Sequence, residues 1–213
     1  MATPLRWSIV IPVKVLAQAK SRLAELAGPR RPQLALAMAA DTVAAALACD
    51  AVRAVLVITD DAQAAAQLSD LGALVLPDKP GAGLNPALEF GAAQAAAWWP
   101  EDGTAALAAD LPALGPAELA GALTAAAGLP AAFVADAAGT GTTLYLTGPG
   151  ASFSPRFGTG SRAAHLRGGA VQLDLPADSG LRRDVDTAAD LRQAVRLGLG
   201  PRTAALAAEL DAG

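Results

Sequence analysis

Apolar residues along this chain recur in two rhythms. Short continuous runs such as Trp7–Val13 (WSIVIPV) and Val52–Thr59 (VRAVLVIT) are rich in β-branched residues. Runs of that length and composition predict strands buried on both faces of a parallel sheet. Ala73–Leu76 and Thr104–Ala109 repeat the pattern, as do Ala131–Ala135 and Thr142–Leu146, with Ala170–Leu175 as an edge strand. Between the first runs lie stretches with a helical period. Pro32–Ala48 sets Leu34, Met38 and Val43 or Leu47 near one face, and Ala62–Leu71 ends at Gly72, a C-terminal cap signal. Pro86–Trp98 carries a proline suited to its first turn, and Pro116–Ala127, Thr187–Leu197 and Pro201–Leu210 complete the predicted helices. Strand and helix alternate through the first 130 residues. That alternation predicts an α/β fold with a mostly parallel sheet flanked by helices, in one domain over residues 1–213. Ligands of such sheets bind at the carboxyl ends of the strands.

Composition narrows the function. The chain is 53% hydrophobic and only 4% aromatic, so its core is expected to pack many alanines. Its formal net charge is −4, without a long basic run, which argues against a nucleic-acid partner. Cys49 is the sole cysteine, so no disulfide forms within the chain. No apolar run approaches the ~20 residues that span a bilayer, and no signal peptide is evident. A cytoplasmic protein without a membrane partner is expected.

The candidate chemistry clusters at predicted strand ends. Lys14, Lys20 and Arg22 follow the first strand, and three cations there suit a triphosphate as well as they suit a solvated loop. Asp110 ends the fourth strand, as a ligand-binding carboxylate or as a cap of the next turn. Asp184 and Asp186 flank Val185 in an extended segment, where alternate residues point the same way. Both could face one divalent cation, although Asp186-Thr187 followed by Asp190 also reads as a helix start. Gly139-Thr-Gly-Thr142 can wrap a phosphate with N–H groups and hydroxyls, but it is not a Walker A loop, since no Gly-Lys-Ser/Thr follows. Gly158-Thr-Gly160-Ser161 opens a helix-like run and can receive an anion there. Its likeness to a dinucleotide fingerprint is discounted, because no buried strand precedes it. Asn85 stands at a helix start, as an N-cap or a reader of a base. His165, the only histidine, is open between an acid–base or metal role and a structural one. Cys49 and Trp98-Trp99 read as packing residues.

Six short motifs in one order carry a resemblance. They are V-K-x-L-x-x-A-K-S-R-L at Val13–Leu23, L-N-x-A-L at Leu84–Leu88 and D-L-P-A-L at Asp110–Leu114. They continue with G-T-G-T at Gly139–Thr142, R-F-G-x-x-S-x-x-x-H at Arg156–His165 and D-V-D-T at Asp184–Thr187. Over nearly its whole length the chain resembles the phosphoenolpyruvate / 2-phospho-L-lactate guanylyltransferases of coenzyme F-420 biosynthesis. The resemblance implies a nucleotide-diphospho-sugar-transferase-like, Rossmann-like fold. It also implies transfer of GMP from GTP onto the phosphate of a small carboxylic acid, with release of pyrophosphate. Matching positions imply that Thr142, Gly158 and Ser161 hold phosphoenolpyruvate, and that Asp110 and Asp186, with Asp184 in reserve, bind Mg²⁺. Lys14, Lys20 and Arg22 would face the triphosphate and Asn85 the guanine or ribose. The Phe133–Asp136 strand with its G-T-G-T loop is closest to the phosphoenolpyruvate-type members; 2-phospho-L-lactate or a phosphoglycerate is the alternative acceptor. A labile product would suit hand-over to the next enzyme.

This sequence departs from that pattern at Ala109, Thr143 and Thr159, where Gly, Asn and Pro are common. Sugar-phosphate and molybdopterin nucleotidyltransferases carry a G-G-x-S-x-R-x-G loop where this chain has Pro12–Leu16, which argues against them. A non-catalytic nucleotide-binding module would be expected to lose its acidic residues, and Asp110, Asp184 and Asp186 are all present.

Overall fold

The computed structural model describes residues 5–211. Its strands are β1 (Trp7–Pro12), β2 (Val52–Ile58), β3 (Leu74–Leu76), β4 (Gly103–Leu107), β5 (Ala131–Ala135), β6 (Thr142–Thr147) and β7 (Val171–Gln172). The helices are α1 (Ala24–Ala27), α2 (Arg31–Leu47), α3 (Ala62–Asp70), α4 (Leu84–Trp98), α5 (Pro116–Ala125), α6 (Ser161–Arg167), α7 (Ala188–Leu197) and α8 (Pro201–Asp211). Short 3₁₀ turns precede α1 and α2 and close the loop at Gly180–Arg182. The alternating half of the chain folds as its hydrophobic rhythm predicts, with bounds shifted by a residue or two.

All seven strands form one sheet in the order β3-β2-β1-β4-β6-β5-β7. The strands β1, β2, β3 and β4 are mutually parallel, and β7 is parallel to β5. Strand β6 runs antiparallel to both of its neighbours. Its apolar run is as continuous as the parallel ones, so composition alone did not reveal the reversal. What sets it is the short 136–141 connection from β5, which permits a hairpin and excludes a crossover. Chain order moves outward from β1 to β2 and β3 on one side and from β4 onward on the other. The carboxyl ends of β1 and β4 therefore flank the point where the winding reverses.

Strict alternation sorts the core. From β1, Trp7, Ile9 and Ile11 enter the main cluster beneath α2, α3 and α5, while Val10 joins Ala87 and Leu88 of α4 on the opposite face. Helix α2 buries more than the single face its periodicity predicts. Eleven of its residues are buried, among them Ala35, Ala39, Ala40, Ala45 and Ala46. It packs on the sheet and against α3, α5 and α8 at once, and alanine permits such close approach from several sides. Among the described residues no helix is long and apolar enough to cross a membrane.

Two polar side chains of α2 sit in this buried setting and tie down loops. Asp41 receives the N–H groups of Arg202 and Thr203 at 3.2 and 2.7 Å, fixing the start of α8. Thr42 receives the N–H of Leu111 at 3.1 Å and lies 3.3 Å from the carbonyl of Ala109, so it brackets Asp110 on both sides. Thr42→Val keeps the shape and strands the buried Leu111 N–H. Urea unfolding is expected to show a loss of about 1–3 kcal/mol, the usual cost of one unpaired buried donor. An unchanged midpoint and slope would remove Thr42 from this role.

Candidate active site

A cavity of about 420 Å³ opens at the winding reversal. Its floor is the end of β4, Leu107 to Asp110. One wall is the loop after β1, with Lys14, Lys20, Ser21 and Arg22, and the other is Leu84, Leu88 and Phe157. Asp186 closes the mouth. All three cations expected at a triphosphate thus line one cavity with two of the expected acidic residues.

Lys20 is the centre of this arrangement. Its Nζ donates to Asp110 and, at 2.7 Å, to Asp186, residues 90 and 166 positions away in the chain. Burial opposes its charge, but Asp110 and then Asp186 outweigh that, and its pKa lies above the ordinary lysine value. Lys20 is also the one described non-glycine residue at positive φ, 54° with ψ 44°. The left-handed conformation costs an ordinary side chain about 1 kcal/mol or more. The loop after β1 holds that strain to aim this ammonium at the carboxylates.

The acidic partners are set from below. Val185 donates its N–H to the carbonyl of Asp110 at 3.1 Å, stitching the D-V-D-T segment to the end of β4. Thr187 and Asp190 form the capping box of α7, so the helix-start reading holds alongside the charged one. Asp184 is a different case from Asp186. It makes no contact with Lys20, and burial followed by the charges of Asp110, Asp136 and Asp186 raises its pKa to about 7.

Two carboxylates that already converge on one cation suit a hard divalent ion that completes its shell with water and phosphate oxygens. No group of three or more His, Cys, Asp or Glu with metal-holding geometry occurs among the described residues. Asp110 and Asp186 are the two carboxylates paired with Lys20, and Asp184 lies nearby without an ion pair to it.

The three residues expected at the acceptor, Thr142, Gly158 and Ser161, lie beyond β4 and do not line this cavity. Asp136 receives the N–H groups of Thr140 and Gly141 at 2.9 and 2.8 Å and shapes the G-T-G-T loop. A Cβ on Gly141 would collide with that carboxylate. Arg182 in turn donates to the carbonyls of Ala135 and Asp136, at 3.3 and 3.2 Å. Thr143, where Asn is common, donates its hydroxyl to Leu181 at 2.6 Å and binds β6 to the same turn. Thr142 opens β6, and its Oγ1 lies 3.0 Å from Nδ1 of His165 on α6. Ser161 starts α6 beside Gly158, whose φ of +127° only glycine adopts readily. Thr142 and the Gly158–Ser161 loop therefore meet through α6.

Asn85 does not cap a helix. It is the second residue of α4, and its amide clamps Phe157: Nδ2 donates to the carbonyl at 3.1 Å, and Oδ1 receives the N–H at 2.8 Å. The clamp uses one N–H and one lone pair of the amide and leaves one of each free. Sequence reasoning missed this clamp, and it missed Asp136 and Arg182, because a side chain bonded to a distant backbone leaves no spacing signature. Burial, then the nearby Arg156, lowers the pKa of His165 to about 4, so its ring is neutral near pH 7.

Residues 7–205 match the family model described as guanylyl transferase CofC like. A phosphoenolpyruvate guanylyltransferase of Thermomonospora curvata is 62% identical, covering 98% of this chain and 91% of its own. One from Streptomyces coelicolor is 58% identical, covering 97% and 98%. Among solved structures, a protein described as a nucleotide-diphospho-sugar transferase from Desulfovibrio desulfuricans superimposes with a TM-score of 0.74 at 19% identity, covering 98% and 96% of the chains. A 4-diphosphocytidyl-2C-methyl-D-erythritol synthase does so with a TM-score of 0.62 at 14% identity, covering 92% and 99%; both likenesses speak for the fold.

The low pKa of His165 fixes the sign of one pH effect. Between its ordinary 6.5 and about 4, the unfolded chain binds a proton that the folded chain refuses. Stability is therefore full above pH 6.5 and falls as the pH drops through that window, by at most about 3 kcal/mol from this group. Urea unfolding of wild type and His165→Phe at pH 7 and pH 4.5 is expected to show the steeper loss in the wild type. Parallel losses would contradict the depressed pKa.

Proposed function

The chain belongs to the CofC-like guanylyl transferase family, and on that premise we propose that it transfers GMP from GTP onto the phosphate of phosphoenolpyruvate. The products are enolpyruvoyl-diphospho-guanosine and pyrophosphate, in a step of coenzyme F-420 biosynthesis. The observation that carries the reading is the convergence of Lys20, Asp110 and Asp186 in a cavity at the sheet's winding reversal. The names of the 62% and 58% identical relatives support the acceptor.

An oxygen of the acceptor phosphate attacks the α-phosphorus of GTP in line. The new P–O bond forms as the bond to the β-phosphate bridging oxygen breaks, and pyrophosphate leaves with the electron pair. A phosphate is already anionic near neutral pH, so no general base is required. His165 could not serve as one, being buried with Nε2 already occupied by the Arg156 N–H at 2.9 Å. The difficulty is repulsion between two polyanions, and electrostatics and positioning supply most of the rate. Lys14, Lys20 and Arg22 bear on the triphosphate and the departing pyrophosphate. Asp110 and Asp186 would hold Mg²⁺, with Asp184 as the nearby reserve, and the ion would supply neutralisation of phosphate charge. Thr142, Gly158 and Ser161 receive the acceptor. Asn85 acts on the nucleotide side through Phe157, which lines the cavity. The enzyme works in the cytoplasm and hands a labile phosphoanhydride to the next enzyme.

Pyrophosphate release is the direct test, with GTP and Mg²⁺ and with phosphoenolpyruvate, 2-phospho-L-lactate or no acceptor. Release with phosphoenolpyruvate alone is expected. Release with phospholactate alone would keep the mechanism and change the substrate, and silence with both, next enzyme included, would overturn the reading. Asp110→Asn is expected to lower kcat by about 10²-fold or more with the fold intact. Full activity would remove the carboxylate pair from the chemistry. Ser161→Ala is expected to raise KM for the acceptor several-fold and leave KM for GTP alone; an unchanged acceptor KM would take Ser161 out of the site.

A further inference from the structure

His165 is the chain's only histidine, and the chemistry above gives it no proton to move. Its ring is nevertheless held with care. It is 1% exposed, stacked on Tyr145 at 4.6 Å and 16°, and flanked by Phe133 at 5.5 Å and the edge of Phe157 at 5.7 Å. Of the groups facing it, Arg156 carries charge and Tyr145 is a phenol whose pKa burial raises.

The two ring nitrogens have partners of different kinds. The backbone N–H of Arg156 points at Nε2 from 2.9 Å, and the Thr142 hydroxyl lies 3.0 Å from Nδ1. A peptide N–H can only donate, so Nε2 accepts and carries no proton. A neutral imidazole then carries its proton on Nδ1, and that N–H donates to Thr142. The Thr142 oxygen must accept from the ring, so its own proton points elsewhere. His165 is the polar partner of that hydroxyl among the described residues.

We propose that His165 is a positioning residue for acceptor recognition: its Nδ1–H fixes the Thr142 hydroxyl so that the hydroxyl presents its proton to the anionic substrate, a small phosphorylated carboxylate. The inference rests on the acceptor lying beside Thr142, as proposed above. An ionised carboxylate or phosphate offers only acceptors. A freely turning hydroxyl would show such an anion its lone pairs part of the time. A ring clamped between aromatic groups and a backbone N–H removes that freedom before the substrate arrives, which is preorganisation by a neutral group.

Because the chain has one histidine, a ¹⁵N-histidine spectrum contains one ring. The neutral Nδ1-protonated tautomer is expected at pH 7. An Nε2-protonated ring or an imidazolium there would overturn the proposal without any variant being made. Steady-state kinetics give the second readout. His165→Leu is expected to raise KM for phosphoenolpyruvate about tenfold and leave KM for GTP close to wild type, with a lowered melting temperature because the Arg156 N–H loses its acceptor. His165→Asn, whose amide places an N–H near the Nδ1 position, is expected to recover most of the loss. In a Thr142→Val background, His165→Leu should add nothing further. If His165→Leu weakens both substrates together, or its effect adds in full to that of Thr142→Val, the ring is merely structural. Inactivity of the wild type with every phosphorylated acid would overturn the proposed function and the substrate side of this inference, while the spectrum would still judge the tautomer.

Discussion

Two ionised carboxylates from distant parts of the chain share a small volume at a cost that a cation between them offsets. Asp110 and Asp186 do so on Lys20, and much of the surrounding structure follows from that requirement. The ammonium reaches them because the loop after β1 places Lys20 in a left-handed conformation that its side chain disfavours. Asp110 is there because β4 ends at the winding reversal, and Asp186 because its neighbour Val185 bonds back to Asp110. Asp184 shows what happens nearby without such a partner: burial and the neighbouring negative charges push its pKa up to about 7. Charge pairing here is a condition of building the site, since bringing like charges together otherwise costs free energy that grows as water is excluded.

The loops are fixed by side chains rather than by their own backbone pairing. Thr42 brackets Asp110, Glu118 receives Gly115 and Gly180 at 3.0 and 2.9 Å, and Asn85 clamps Phe157. Asp136 and Arg182 shape the G-T-G-T turn. Each is a polar side chain that satisfies a backbone group in a segment lacking a ladder, as buried backbone requires. The result is a rigid rim on a sheet edge that is otherwise irregular, and a rigid rim is what a reaction governed by positioning needs.

Such straps divide what the sequence discloses from what it conceals. The strands and helices were legible because burial imposes a period, and Trp7, Ile9 and Ile11 on one face of β1 show that period directly. The charged lining of the cavity was legible as well: Lys14, Lys20 and Arg22 follow β1, Asp110 follows β4 and Asp186 belongs to the D-V-D-T segment. The direction of β6 was not, because an apolar run looks the same read either way along a sheet. The cap reading of Asn85 failed for a related reason: local spacing proposes a cap, whereas its amide bonds a backbone 72 residues away. Asp136 carries no motif of its own, and its role exists only once β5 and β6 form a hairpin.

On the proposed reading, the fold also separates the two substrates by the kind of group that meets them. Charged residues gather on the β1 and β4 side, where a triphosphate and its metal would bring several negative charges. Hydroxyls, backbone N–H groups and a neutral imidazole gather on the β6 and α6 side, with Arg156 as a charged neighbour. Such neutral donors bind an anion well when their dipoles are already aimed, because in a buried setting a misdirected donor is costly. The buried, uncharged His165 meets that condition: on the proposed reading it aims a hydroxyl and carries no charge of its own.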